Sequence, residues 1–364
     1  MPFWKLNVQQ SNATLRLRYP RSLKGPHVEH GDLVLQTPQP ASLSLVYLDK
    51  IAVAEFLTFP ALRSALAEAI QRGGVVPERA IHKIPPNRVL GLMPAWRPGS
   101  DIGVKVVIVV PDNAARNLST IQGLVLLFDY ETGQPCAALD GAEVTVRRTA
   151  AASSLAASLL ARKDASRYAL LGCGALALPM IEAMSTVRPI REIRIWGRSF
   201  DKAKLVAAKA RTRFPQLMIH PVATAADAVS RADIVSTLTS SAEPILQGAW
   251  IKSGAHLDLV GSHSPDTREL DDDGVSRARV FADFRSSVMA EAGDILIPLR
   301  SGAISQDHIL GDLSDLLTGS IDGRTTDSDI TVFKSVGNGL EDLVAAQTAL
   351  SQFQATQPSS RSTP

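Results

Sequence analysis

Gly172-Cys173-Gly174-Ala175-Leu176-Ala177 stands between the apolar run "RYALL" and the helix-like run "ALALPMIEAMSTV". A G-x-G-x-x-A segment that closes a strand and opens a helix admits few folds. It is the first turn of a βαβ unit on a parallel sheet. Gly172 permits the tight turn, Gly174 leaves backbone amides open to a diphosphate, and Ala177 lets the helix lie close to its strand. The helix N-terminus adds partial positive charge at the same point. Gly172, Gly174 and Ala175 are therefore the first candidates for contact with a dinucleotide. Glycines also serve turns that hold nothing, and here the strand before and the helix after favour the ligand.

The chain beyond this turn alternates. "EIRIWGR" and "DKAKLVAAKARTRF" repeat the strand–helix pairing, and "LMIHPVA", "TAADAVSRA", "DIVSTLTS", "AHLDLVGS" and "ARVFADF" continue it. Strands separated by helices predict a parallel sheet over residues 151–315. Upstream the texture differs. "YLDKIAVAEFLTFPALRSALAEAIQRG" has helical spacing and stops at Gly73-Gly74. "RVLGLMPAW", "DIGVKVVIVV" and "QGLVLLFDYETGQPCAALDG" read as strands, the last a hairpin, and "TAAASSLAASLLAR" (149–162) as an Ala-rich helix. At 364 residues the chain exceeds the size of one core. The predicted class is α/β, a Rossmann-type parallel-sheet domain inserted in a discontinuous α+β domain formed by 43–150 and 316–356. The last helix is expected to pack back on the first half. Residues 1–42 read as an N-terminal extension of unknown role, and 357–364 as a disordered tail.

Composition narrows the partners. Lys and Arg number 38 against 36 Asp and Glu, and the net charge of +2 gives no reason to expect nucleic acid or an anionic membrane. No stretch reaches the roughly 20 apolar residues of a membrane helix. Cys136 and Cys173 lie far apart and outside any C-x-x-C pattern. Neither a disulfide framework nor a metal site is expected, and a reducing cytoplasm is the simplest setting.

The second strand of the alternating region, "EIRIWGRS", ends without the acidic residue that grips a ribose 2′-hydroxyl. Arg198 and Ser199 stand there instead. A guanidinium neutralises a 2′-phosphate that a carboxylate would repel, so NADP(H) is favoured and NAD(H) remains possible. Arg198 read alone is equally a solvated loop residue. "STLTSS" offers the hydroxyls of Thr237 and Thr239 to the nicotinamide ribose, a weaker signal.

"LMPAW", "GVKVV", "DNAARNLSTIQG", "LDGAEVTVRRTAAAS", "LLGCGALA", "HLDLVGSHSPDTRELDD" and "DITVFKSVGNGLEDLVAA" occur in this order from about Leu45 to Gln354. Together they resemble the ornithine cyclodeaminase/μ-crystallin family. The resemblance implies a homodimer in which a substrate and dimerisation domain is interrupted by a Rossmann domain. It implies an amino or imino acid substrate whose carboxylate is held by Arg79, Lys105 and Arg148, with Asn117 and Thr120 lining the site. It also places Val260, Lys334, Val336 and Gly337 beside the cofactor. Read on its own, Lys105 in an apolar strand needs a partner or a substrate anion if buried. Arg148, at the start of the Ala-rich helix, suits a bidentate grip on a carboxylate. An edge-strand lysine and a surface arginine are the plainer readings.

In "VGSHSPDTREL" the resemblance sharpens. Members that cyclise ornithine carry an aspartate where this chain has His263. Members that reduce cyclic imines lack that aspartate, and this chain looks closer to them. The expected activity is NADPH-dependent reduction of a cyclic α-imino acid to L-proline or L-pipecolate, with Lys105 as proton donor or electrostatic partner. His263 is a second candidate for proton exchange, since imidazoles titrate near neutrality; a polar loop residue that only shapes the pocket is the alternative. Cyclodeamination of ornithine, an open-chain amino acid or opine-type dehydrogenase, and a non-catalytic nucleotide-binding protein stay open. Ring size is not readable.

Overall fold

The computed structural model describes residues 45–357 except Asn117. The expected N-terminal extension, the tail from residue 358 onward, and the expected site residue Asn117 lie outside the described residues.

The described residues form two sheets. The first holds β1 (Val46–Leu48), β2 (Ala80–Ile84), β3 (Arg88–Trp96), β4 (Asp101–Val109), β5 (Ile121–Asp129) and β6 (Pro135–Asp140), in the order β1-β6-β5-β4-β3-β2. Its pairings are antiparallel except β1 with β6. The second holds β7 (Arg167–Leu171), β8 (Glu192–Trp196), β9 (Met218–Pro221), β10 (Ile234–Thr237), β11 (His256–Leu259), β12 (Arg279–Ala282), β13 (Ile309–Asp312) and β14 (Thr331–Lys334). Its order is β13-β12-β14-β11-β10-β7-β8-β9, parallel throughout. The expected α/β class with a Rossmann-type sheet is borne out. From β7 the chain runs outward to β8 and β9, then returns to β10 on the other side. The switch point between β7 and β10 is where such sheets bind ligands.

Three boundaries differ from expectation. The single helix expected over the segment after Tyr47 is two, Lys50–Phe56 and Phe59–Arg72. Pro60 sits in the first turn of the second helix, where its missing N–H is harmless but would break a continuous one. The Ala-rich helix begins at Gly141, not near 149, because Asp140 caps it by accepting the Glu143 amide at 2.7 Å. Residues 316–356 do not all join the first region: β14 enters the parallel sheet between β11 and β12. All four residues of β14 are buried, and a strand covered on both faces is what that sheet provides.

The helix Gly141–Leu160 is the shared spine. Ala150, Ala151, Ala156 and Ala157 are wholly buried, and small side chains let it lie close to neighbours on both sides. One apolar core runs through it, from Leu48, Val125 and Leu343 to Tyr168, Ile234 and Phe333. The far face of the parallel sheet has its own core around Leu171, Val235, Leu257 and Val332. The last helix, Gly339–Thr356, packs on β4 and on the helix Phe59–Arg72.

Candidate active site

In a parallel sheet every strand ends on the same edge, so the segments leaving those ends share one rim. Here the glycine turn follows β7, Thr239 follows β10, Val260 and His263 follow β11, Asp283 follows β12, and Val336 and Gly337 follow β14. Gly172 has φ +139, and a Cβ there would meet the Leu238 carbonyl oxygen at 2.9 Å. Only glycine fits. Gly174 and Ala175 are exposed, and a Cβ on Gly174 would meet nothing within 4 Å, which leaves the backbone open above the helix Ala177–Ser185. These features fit a dinucleotide diphosphate.

Arg198 is exposed just past β8 and makes no ion pair or hydrogen bond among the described residues. Ser199 caps the next helix, its hydroxyl accepting the Lys202 amide at 3.4 Å. Lys202, which the sequence reading passed over, lies close enough to the glycine turn to pull the Cys173 thiol down against the larger upward effect of its burial. Its place one helical turn beyond Arg198 was the available signal.

Other expected cofactor contacts are engaged internally. The hydroxyls of Thr237 and Thr239 donate to Glu269, each at 2.7 Å, with the Gly261 amide donating to the same carboxylate. A buried glutamate needs donors, and these threonines supply them. Lys334 is completely enclosed and donates to Asp294 at 3.0 Å, so its side chain does not face the rim. An ammonium in a buried strand is held by the nearest carboxylate. The amides of Val336 and Gly337 donate to Asp283 at 2.9 and 2.6 Å. Val260 is half-buried and its amide donates to the Thr237 carbonyl.

The basic residues come together around Asp342. Lys105, on the face of β4 beneath the last helix, places its ammonium 2.8 Å from Asp342 Oδ2. Arg148 donates from Nε to Asp342 Oδ1 at 3.0 Å and from Nη1 to Glu341 Oε2 at 2.8 Å. Arg148 therefore stands in the second turn of its helix, not at the start. Its guanidinium packs against Gly337, whose φ is +71 and where a Cβ would lie 2.0 Å from Nη1. Arg79 donates from Nη2 to the Gly337 carbonyl at 2.7 Å and pairs from Nε with Glu291 at 3.0 Å. Gly337 thus joins Arg79 to Arg148. Arg148 Nη2 makes no hydrogen bond among the described residues, which leaves one edge of the guanidinium for a ligand.

Burial pulls the Lys105 ammonium below its usual range, against the attraction of Asp342. Burial also acts on Arg148, but Asp342 and Glu341 outweigh it and keep the guanidinium charged. Glu341 is pushed up to about 7 by burial, with Arg148 opposing. His263 is exposed, with Nδ1 3.0 Å from the Gly261 carbonyl, and its charge is felt by Glu291, a half-buried carboxyl raised by burial. Thr120 is half-buried in the loop between β4 and β5 and makes no hydrogen bond to this cluster among the described residues. Glu341, Asp342, Asp283 and Glu291 were missed in the sequence. The signal for the first two was an acidic pair inside a run of leucine, valine and alanine.

The sequence pattern of the ornithine cyclodeaminase/mu-crystallin family matches residues 52–357. The chain belongs to that family. Among curated family members, the Delta(1)-pyrroline-2-carboxylate reductase of Colwellia psychrerythraea is 34% identical over 307 residues, covering 83% of this chain and 97% of that one. Mouse ketimine reductase mu-crystallin is 34% identical over 313 residues, covering 85% and 96%. Among solved structures, Thermococcus litoralis Delta(1)-pyrroline-2-carboxylate reductase in complex with NADH and L-proline superposes with a TM-score of 0.82 at 30% identity, covering 85% and 98%.

Proposed function

We propose that this chain reduces a cyclic α-imino acid, Δ1-pyrroline-2-carboxylate to L-proline or Δ1-piperideine-2-carboxylate to L-pipecolate, with NADPH preferred over NADH. The observation that carries the reading is the joining of Arg79, Arg148 and Lys105 through Gly337 and Asp342 on the rim that also bears the glycine turn. The reductases among the relatives support it.

When bound, the reduced nicotinamide supplies the hydride taken up by the imine carbon. The chain's own groups do the rest. Arg148, through its open Nη2, and Arg79 hold the substrate carboxylate and so fix the ring. Lys105 stands beside Arg148 as the donor to the imine nitrogen, and burial makes its ammonium a readier acid. His263 lines the rim with no carboxylate of its own, which suits a ready-made ring better than the binding of an ornithine ammonium. Arg198 with Lys202 receives a 2′-phosphate.

A homodimer belongs to the same reading. Leu92, Val104, Val106, Ile108, Leu124 and Leu126 share the face of the first sheet opposite Lys105, half-buried or exposed among the described residues. A second copy is the proposed cover. A reducing cytoplasm, the setting expected from the sequence, belongs to the same reading.

The deciding assay follows NADPH absorbance with the five- and six-membered imino acids, beside NAD⁺-dependent ammonia release from ornithine. Consumption of NADPH with either ring supports the reading. Ammonia release without NADPH use would replace it with cyclodeamination.

A further inference from the structure

Three carboxyls and two cations are enclosed at the centre of the site. Asp283, Glu341 and Asp342 are 3%, 1% and 1% exposed; Lys105 and Arg148 are 3% and 8% exposed. An uncompensated buried charge is costly, so one of the three acids has reason to keep its proton. Asp342 is held between Lys105 and Arg148. Asp283 accepts the backbone amides of Phe284, Val336 and Gly337. Glu341 has the least support: the only hydrogen bond its carboxyl accepts among the described residues comes from Arg148 Nη1. Its charged neighbours are Arg148 from the helix Gly141–Leu160, Asp283 after β12, and Asp342 on its own helix. Lys105 of β4 and Arg79 from the segment before β2 lie one contact further out.

We propose that Glu341 is a positioning residue whose proton sets the affinity of Arg148, acting with Arg79, for the substrate carboxylate, so that an anionic ligand takes up a proton at this side chain when it binds. This rests on the imino acid reading given above. With Glu341 neutral, the two buried cations face only two carboxylates, and Arg148, with Arg79 beside it, is free to hold a third anion. With Glu341 ionised, the buried centre is already negative and repels that anion. The ligand and the Glu341 charge compete for one guanidinium, and linkage makes the competition reciprocal. Burial holds this carboxyl near 7, where the competition falls in the working range.

The test uses the dinucleotide-loaded protein and pyrrole-2-carboxylate, a planar carboxylate whose ring nitrogen does not titrate near neutrality. Calorimetry in buffers of different ionisation enthalpy reads proton uptake on binding. The native protein is expected to take up roughly half a proton at pH 7 and more as pH rises. Its KM for the imino acid should climb toward tenfold per pH unit above neutrality while kcat changes less. Glu341→Gln should bind without uptake and flatten the KM profile; Glu341→Asp should restore part of both. Should the variants fail to fold, the native measurement decides alone. Binding without uptake, or a KM flat from pH 6 to 9 in an active reductase, overturns the proposal and leaves the reductase reading intact. Failure to reduce any cyclic imino acid overturns the reading; in an active reductase that does not bind the analogue, the KM profile decides the proposal.

Discussion

Lys105 and Asp342 meet at 2.8 Å with both side chains almost wholly enclosed. The two residues are 237 positions apart in sequence, and this contact joins segments on either side of the stretch that forms most of the parallel sheet. Asp342 uses its other oxygen for Arg148. One carboxylate therefore holds an ammonium and a guanidinium side by side.

Removing that carboxylate should damage both stability and chemistry. Asp342→Ala leaves Lys105 buried without its carboxylate while Arg148 keeps only Glu341, a loss of about 3–5 kcal/mol for an unpaired buried charge. On Lys105, burial, Arg148 and Arg79 all then act downward, with nothing upward from Asp342. The ammonium loses its proton at lower pH, so the alkaline limb of the rate profile should move to lower pH. Denaturant unfolding and a pH–rate series on Asp342→Ala and Asp342→Asn check both effects. A variant of native stability with an unmoved alkaline limb would show that Asp342 does not govern Lys105.

The cofactor side rests on Arg198, exposed and unengaged among the described residues. Arg198→Asp should raise the apparent KM for NADPH by roughly 10- to 100-fold, the worth of a charge-assisted hydrogen bond, and leave NADH use intact or improved. Lys202→Ala should add a smaller loss for NADPH alone. Competition between the two coenzymes in one assay reads the ratio directly. Equal losses for both would move the phosphate site elsewhere.

The two-layer plan was legible because periodicity reports local geometry. The strands β3, β4, β5 and β6 and the glycine turn fall where alternation and turn residues put them. The placing of β14 was not legible, since "ITVF" is a short apolar run that either sheet could use. Nor were the partners of Lys105 and Arg148. Composition shows that a buried cation needs an anion, but which acid meets it depends on how the last helix lies across β4. Acids in the first turn of a helix also have an ordinary explanation in the helix dipole, which hid Glu341 and Asp342. That Thr237, Thr239 and Lys334, expected beside the cofactor, donate to buried carboxylates was not legible for a related reason. Polar groups at strand ends serve either ligands or buried carboxylates, and Glu269 and Asp294 are separated from them in sequence.

The outer face of the first sheet gives a third prediction. Leu124 is 38% exposed and lies beside Val106, which pairs in turn with Leu92. A second copy covering this face would bury Leu124, and Leu124→Lys would place an ammonium in the interface. The native protein is expected to sediment as a dimer and the variant as a monomer of lower thermal stability. A native monomer at micromolar concentration would remove the dimer from the reading.

The last prediction concerns His263. It sits on the rim with Glu291 opposite, and Glu291 holds Arg79 at 3.0 Å. Cyclisation of ornithine needs a fixed negative charge to hold a substrate ammonium and accept its proton. A neutral imidazole supplies no such charge, and an imidazolium repels the ammonium. The native protein should therefore reduce cyclic imines and release no ammonia from ornithine. His263→Ala should keep measurable reductase activity, because the proposed carboxylate clamp of Arg79 and Arg148 and the proposed donor Lys105 are untouched. His263→Asp tests the point from the other side. It places a second carboxyl near Glu291, and the Arg79 guanidinium favours the charged form of such a pair. Arg79 would be drawn toward this acidic pair and away from Gly337, so the variant should lose affinity for the imino acid without gaining ornithine turnover. Steady-state kinetics on both substrates distinguish the cases. Robust ammonia release by the native protein would show that His263 does not set the choice between reduction and deamination, and ammonia release by His263→Asp with imino acid KM unchanged would show that Arg79 is not drawn away.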